Sequence, residues 1–435
     1  MNEYPNTVKK TLTSLIKEMS AAPALFVKDP ERDFTRRRKL PFEIVVQLLL
    51  SMGGNSIYKE LLEAQGYDAN TATASAFVQQ RDKILPFAFE FLLHEFTQSY
   101  SDIKTYKGFQ LLAVDGSDLH IATDPDNTDT YFQNGPDKRG FNLLHLNAMY
   151  DLCNRLYLDS CIQARKCENE HKALTDMVDR SCIQGNVIVI ADRGYECYNN
   201  FAHIERKGWY YLIRVKDADS SGILSGLHLP PTQEFDVTVR RILTRKSTKE
   251  VKAHPEIYRY LANSATFDFL DLHTDQFYPI SLRVVRFKVA DDTYETVITN
   301  LSQSDFSPVG LKELYRMRWG IETSFRELKY AVGLTNFHSK KVEYIAQEIY
   351  ARMIMYNFSE MITLHVVIQH RDTQYAYQVN FTVAIHVCRR FFKCNVLSPD
   401  LEALIRKNTL PVRPGRKYIR KIRGKTAVSF IYRVA

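Results

Sequence analysis

The chain has 435 residues, 45% of them hydrophobic and 12% aromatic, enough for a large core and several domains and inconsistent with a disordered polypeptide. Its formal net charge of +8 is mild over that length, so any polyanion-binding surface has to come from local clusters. No apolar run reaches membrane-spanning length, Met1-Asn-Glu-Tyr-Pro5 has no secretory pattern, and seven scattered cysteines lack a Cys-x-x-Cys pair. These features argue against a membrane protein, a disulfide scaffold and a zinc site, and the expectation is a cytoplasmic protein.

In chain order, residues 1–105 read as helical. Pro41–Ser51 is apolar-periodic and breaks at Gly53-Gly54, Asn55 or Ser56 caps a helix running to about Gln65, and a helical pattern resumes over Ala74–Tyr100. Beside the basic knot Thr35-Arg-Arg-Arg-Lys39, short helices with tight turns suit an all-α DNA-binding region, although any small helical bundle reads similarly. The pattern then changes. Phe109–Asp115 is an apolar strand ending in an acid before Gly116. His145–Asp151 and Leu156–Ile162 flank a turn at Cys153-Asn154, which is a hairpin signature. Asn169–Ile183 reads as a helix, Val187–Asp192 as a second buried strand ending in an acid, and Tyr210–Val215 as a further strand. That order predicts an α/β fold with a mixed sheet and helices on its faces.

Residues 216–296 interrupt this core with period-two segments at Phe235, Ile280 and Glu295, a β-rich insertion whose last strand re-enters the core. The expected division is therefore 1–105, a helical DNA-binding region; 106–215, the first part of the core; 216–296, the insertion; 297–365, the second part; and 366–435, a helical C-terminal region with a basic tail. Glu343–Thr363 is a helix packed through Ile345, Ile349, Met353 and Tyr356. The tail runs from Arg406 through Arg413, Arg416, Lys417, Arg420, Lys421 and Arg423 to Lys425 without an acid, as suits counterion-releasing contacts with phosphates or a solvated tail.

The most informative stretch is Leu314–Lys329, read as one helix. At about 100° per residue, Tyr315, Arg318, Glu322 and Lys329 share a stripe roughly 60° wide, while Leu314, Met317, Ile321 and Leu328 form a separate apolar stripe. Such a helix buries one stripe and aims the other at a ligand. Taken singly, Asp115 reads as a turn residue and Asp192 as a helix cap near Gly194. Their joint order with Glu322 points to one site. Carboxylates converging with no arginine between them repel one another and are stable together around hard cations, Mg²⁺ or Mn²⁺. Two such ions can drive in-line phosphodiester displacement.

On these residues the chain resembles the DDE transposases of bacterial insertion sequences, in particular the branch with the signature Tyr-(2)-Arg-(3)-Glu-(6)-Lys and a β-strand insertion in the core. The signature is complete as Tyr315, Arg318, Glu322 and Lys329, and the two aspartates stand in Val-Asp115-Gly-Ser and Ala-Asp192-Arg-Gly-Tyr. The resemblance covers roughly residues 105–360. It implies an RNase H-like core that cleaves double-stranded DNA at inverted-repeat ends and joins it to target DNA, by cut-and-paste through a hairpin intermediate. By the same resemblance Asp115, Asp192 and Glu322 are catalytic and hold two Mg²⁺ or Mn²⁺ ions, while Tyr315, Arg318 and Lys329 hold terminal phosphates. Arg193 and Arg326 are candidate phosphate contacts. Trp319 and Tyr294 are candidates to stack on a flipped base, with core packing as the alternative. A homodimer on DNA and a nucleoid-associated cytoplasmic location follow from the same analogy. His120, His145 and His338, near the motifs, read as structural.

Two other readings fit less of the sequence. A transposase-derived DNA-binding protein without cleavage activity predicts a lost carboxylate, and all three are present. An acid-pair hydrolase such as a glycosidase gives no reason for the Tyr315, Arg318 and Lys329 stripe or the basic tail.

Overall fold

A computed structural model describes residues 2–412 apart from 37, 136–137, 218–221, 367–375 and 394–399. The basic tail beyond 412 and Arg37 lie outside the described residues. The N-terminal region consists of α1 (Glu3–Ala21), α2 (Phe42–Ser51), α3 (Ile57–Ala64), α4 (Ala74–Arg81) and α5 (Phe87–Gln98). The expected Ala74–Tyr100 helix is divided by Pro86, which disfavours helical backbone in the residue before it. The core follows as β1 (Gln110–Ile121), β2 (Tyr131–Phe132), β3 (Phe141–Asp151), β4 (Leu156–Ala164), α6 (Glu170–Arg180), β5 (Val187–Ala191), α7 (Tyr198–Arg206) and β6 (Tyr210–Val215). The next segment holds β7 (Phe235–Thr244), α8 (Lys249–Ala253), β8 (Tyr258–Tyr260), β9 (Phe277–Ala290) and β10 (Thr293–Thr299). Then come α9 (Pro308–Met317), α10 (Trp319–Glu327), α11 (Val342–His365), β11 (Ala376–Val379), α12 (Phe381–Lys393), α13 (Leu401–Lys407) and β12 (Thr409–Val412).

Ten strands form one mixed sheet in the order β2-β3-β1-β5-β6-β10-β9-β7-β8, with β4 also paired to β3. β1, β5 and β6 are mutually parallel, and β3 and β4 form the expected antiparallel hairpin beside β1. This is the mixed α/β core, with helices on the sheet's faces, anticipated from the sequence. β10 returns beside β6 just ahead of α9, and β9 and β7 continue the same sheet outward. In β9, Arg283 pairs with Asp236 and donates to the carbonyls of Leu301, Ser302 and Phe306, tying the segment that leads into α9 to the outer strands.

Side chains alternate across the sheet. Leu112, Val114, Val187, Val189 and Ala191 face the cluster built with α6 and α7, whereas Leu111, Ile188 and Ile190 face α9 through Leu311, Leu314 and Tyr315. The α11 helix is buried along almost its whole length, not through one stripe, because α1, α2, α5 and α12 surround it in a shared core. Among the polar groups caught there, Arg81 of α4 bridges Glu348 at 2.9 Å and donates to Gln347, all fully buried. No helix among the described residues is long and apolar enough to cross a membrane.

Candidate functional site

Strand parity brings the two aspartates together. The parallel register pairs Ala113 with Ile190 and ends at Val114 and Ala191, so Asp115 and Asp192 stand one step further, on the face that α9 covers. Asp192 follows the last residue of β5 and accepts a 2.8 Å hydrogen bond from Gly194 N–H, which also makes it the cap its neighbours suggested. Asp115 does not end its strand, as the apolar run implied. β1 continues to Ile121 because it remains paired with β3, and only its parallel partner stops. The acid keeps its place because parity, not the strand end, sets the face it occupies.

The signature stretch is not one continuous helix. Ser307 caps α9 at Gly310 N–H with Pro308 in the first turn, and the helix tightens at Arg318, where Arg318 N–H bonds Tyr315 O and Ile321 N–H bonds Arg318 O. α10 then carries Glu322, and a π-helical turn, Leu328–Val332, carries Lys329 before Gly333 closes it at φ 94°. Gly320 lets α10 lie against the β3–β4 turn, since a Cβ there would sit 2.8 Å from Leu152 Cδ2.

The arrangement differs from the sequence expectation in one chemical respect: an arginine does stand between the acids. Arg318 Nη2 donates to Glu322 Oε1 at 2.7 Å, and Nη1 lies 3.6 Å from Asp115 Oδ2. Its side chain is only 7% exposed, so that charge is spent on neighbours rather than on water. Tyr315 and Trp319 rings lie 5.8 and 5.3 Å from the guanidinium. Burial pushes the Asp115 carboxyl up to about 6; Asp192 and Glu322 add to the rise, while Arg318 and Gly116 N–H oppose it. The three acids therefore feel one another, and one arginine offsets them incompletely. Among the described residues, ligand atoms all lie within 4.8 Å of one another in Glu90, His94 and Asp159 and in Asp118, His145 and Glu168, but not in Asp115, Asp192 and Glu322. Arg180 pairs with both Asp159 and Glu90.

Lys329 Nζ donates to Ser117 Oγ at 2.7 Å and to Asp118 O at 2.9 Å, and burial pulls its pKa down. Tyr315 is buried with its hydroxyl unbonded. Trp319 is 57% exposed beside Arg318, and Arg193 and Arg326 are exposed. Tyr294 lies under Arg286 and bonds Gln233. Among the histidines, His120 lies against the Phe141 ring and His338 bonds Glu348 and Asn55 O, as structural residues do. His145 is more involved: burial works against its charge, but Asp118 and Glu170 outweigh it and hold the imidazolium up to about 9. Glu170, the first residue of α6, was missed by sequence reasoning. An acid there reads simply as complementing a helix N-terminus.

Residues 106–358, more than half of the chain, match the family model described as transposase DDE domain. No curated protein matches the chain. Among solved structures, it is similar to a piggyBac transposase synaptic complex with hairpin DNA, at 11% identity and a TM-score of 0.41, over 95% of this chain and 87% of that one. The chain belongs to the DDE transposases, metal-dependent enzymes that cut and transfer DNA.

Proposed function

We propose that the protein is an insertion-sequence transposase that excises its element by cut-and-paste, through a hairpin intermediate on the transposon end. The observation that supports this reading is Arg318, bonded to Glu322 and 3.6 Å from Asp115, while Asp115 and Asp192 stand on one face of neighbouring parallel strands. The donor set is all oxygen and only partly offset by cations, which fits Mg²⁺ or Mn²⁺ better than a thiophilic metal. Asp115, Asp192 and Glu322 would hold two such ions, whose chemistry when bound would be Lewis-acid activation of a water or 3′-hydroxyl and neutralisation of the leaving oxygen.

The protein's own groups supply the positioning. Arg318 is a bidentate phosphate clamp, Lys329 a point charge at the edge of β1, and Tyr315 the aromatic wall beside them. The exposed ring of Trp319 receives an unstacked terminal base, and Arg193 and Arg326 meet the flanking phosphates. Residues 1–105 and the tail beyond 412 take the DNA away from the cut. Arg32, Arg36, Arg38 and Lys83 line a polar cavity of about 300 Å³ that supports the first of these assignments. Bringing two ends together requires two copies of the chain, so the working species on DNA is a homodimer acting on the bacterial nucleoid.

The test is incubation with flanking-end DNA and Mg²⁺, resolving nicks, hairpins and joined products on a denaturing gel. Hairpins that appear with wild type and vanish with Asp192→Ala support the proposal. Cleavage that persists in Asp192→Ala rejects the site, and nicks joined to target without a hairpin reject the excision route.

A further inference from the structure

A hydrogen-bonded chain runs beside Asp115 and Asp192. His145 on β3 is buried, with Nδ1 2.8 Å from Asp118 Oδ1 and Nε2 3.2 Å from Glu170 Oε1. Asp118 is its register partner on β1, three residues beyond Asp115. Glu170 opens α6, whose start is fixed by Asn169 accepting from Lys172 N–H.

The Glu170 carboxylate fills the space left by two glycines that flank the acids. A Cβ at Gly116 would collide with both His145 Nε2 and Glu170 Oε1. One at Gly194 would lie 3.0 Å from Asp192 Oδ1 and 3.2 Å from Glu170 Oε2. The buried Tyr195 hydroxyl senses the same grouping. Its proton is held well above the ordinary range by burial first, then by Glu170, Asp115 and Asp192. At the other end of the chain, Lys329 bonds the backbone of Asp118.

We propose that Asp118, His145 and Glu170 form a brace that sets the separation of the Asp115 and Asp192 carboxylates, with His145 and Glu170 as positioning residues. The brace rests on the reading of those two acids as metal ligands. It spans from β1, which carries Asp115, across β3 to the start of α6, whose first residue lies against the turn that carries Asp192. Groups that orient metal ligands from outside typically change metal affinity by about 10–100-fold when removed.

The experiment is Mn²⁺ titration of the DNA-free protein, following the electron paramagnetic resonance of free Mn²⁺, with thermal melting as a check on folding. Glu170→Ala is expected to weaken binding about tenfold. Glu170→Gln keeps an acceptor for His145 Nε2–H and retains near-wild-type affinity. His145→Ala added to Glu170→Ala costs little more than either alone, since both break one chain. Wild-type affinity in Glu170→Ala overturns the brace. So does a Glu170→Gln as weak as Glu170→Ala, which makes the carboxylate itself a ligand, and so does full additivity in the double variant. Should His145→Ala fail to fold, the two Glu170 variants decide the matter. Asp115→Ala separates the two readings. If it leaves Mn²⁺ binding intact, the assignment of the acids fails; if it abolishes binding while Glu170→Ala does not weaken it, only the brace falls.

Discussion

Arg318 donates a 2.7 Å hydrogen bond to Glu322 across one turn of the signature segment. The same guanidinium stands 3.6 Å from Asp115. The residue proposed to clamp a DNA phosphate thus occupies the space between two residues proposed to hold metal. A phosphate and the two carboxylates compete for one cation.

Arg318→Ala is therefore expected to act in two directions. Binding of flanking-end DNA weakens by about tenfold or more, the worth of a charge-assisted hydrogen bond. Mn²⁺ binding to the DNA-free protein tightens, because Glu322 and Asp115 lose their competitor. Fluorescence anisotropy with labelled ends reads the first and metal titration the second. Equal end binding in variant and wild type removes the clamp.

Asp115 makes the site sensitive to pH. Its carboxyl is pushed up to about 6, and protons and metal compete for its oxygens, so Mg²⁺-dependent cleavage should fall as pH drops below about 6. More Mg²⁺ shifts that limb to lower pH, and Arg318→Ala shifts it upward by removing an opposing charge. The stability linkage has the matching sign. A native pKa above the ordinary value means the folded form holds its proton more tightly; that stabilisation is complete below about pH 4 and lost as pH rises through about 6. Asp115→Asn should thus stabilise the metal-free protein by up to about 2 kcal/mol near pH 8 and little near pH 4. Urea denaturation at the two pH values measures it, and equal gains at both contradict it.

Gly116→Ala tests the packing between the acids. The added methyl meets His145 and Glu170, with an overpacking cost of about 1–3 kcal/mol. Cleavage should fall further than stability, because the collision lies next to Asp115. A stable variant with wild-type cleavage would mean that the strands yield there freely.

Glu348→Gln tests the joint between the N-terminal helices and α11. It strands Arg81 and Arg352 in a fully buried place, and loss of one partner of such a pair costs about 3–5 kcal/mol. Denaturant midpoints compare the variants. A cost below about 1 kcal/mol would mean that water reaches the pair.

Removing residues 413–425 should flatten the dependence of DNA affinity on salt concentration, since each lost phosphate contact removes released counterions. An unchanged slope reassigns the tail to another task.

Much of this architecture is legible in the sequence because it depends on local pattern. Asp115 and Asp192 stand out as acids closing apolar runs, and the Tyr315, Arg318, Glu322 and Lys329 spacing is periodic. What escapes depends on contacts between distant segments. The continuation of β1 past Asp115 comes from β3, and the tightening at Arg318 accompanies the approach of Gly320 to Leu152. The burial of α11 comes from α1, α2 and α5, more than two hundred residues earlier in the chain, and from α12 after it. The polar stripe of Arg318 points it toward a ligand. Periodicity gives a direction but not a partner, so its engagement with Glu322 could not be foreseen. Glu170 was invisible for a related reason, as an acid opening a helix has an ordinary explanation. The division of Ala74–Tyr100 was different. Pro86 marks that break locally.

The ladder from β6 through β10 to β9 and β7 is unbroken, and Arg283 fastens its outer part to the approach of the signature segment. A lobe stitched in by backbone pairing cannot swing like a jaw on a flexible tether. On the excision route proposed above, the distortion falls on the nucleic acid rather than on this joint.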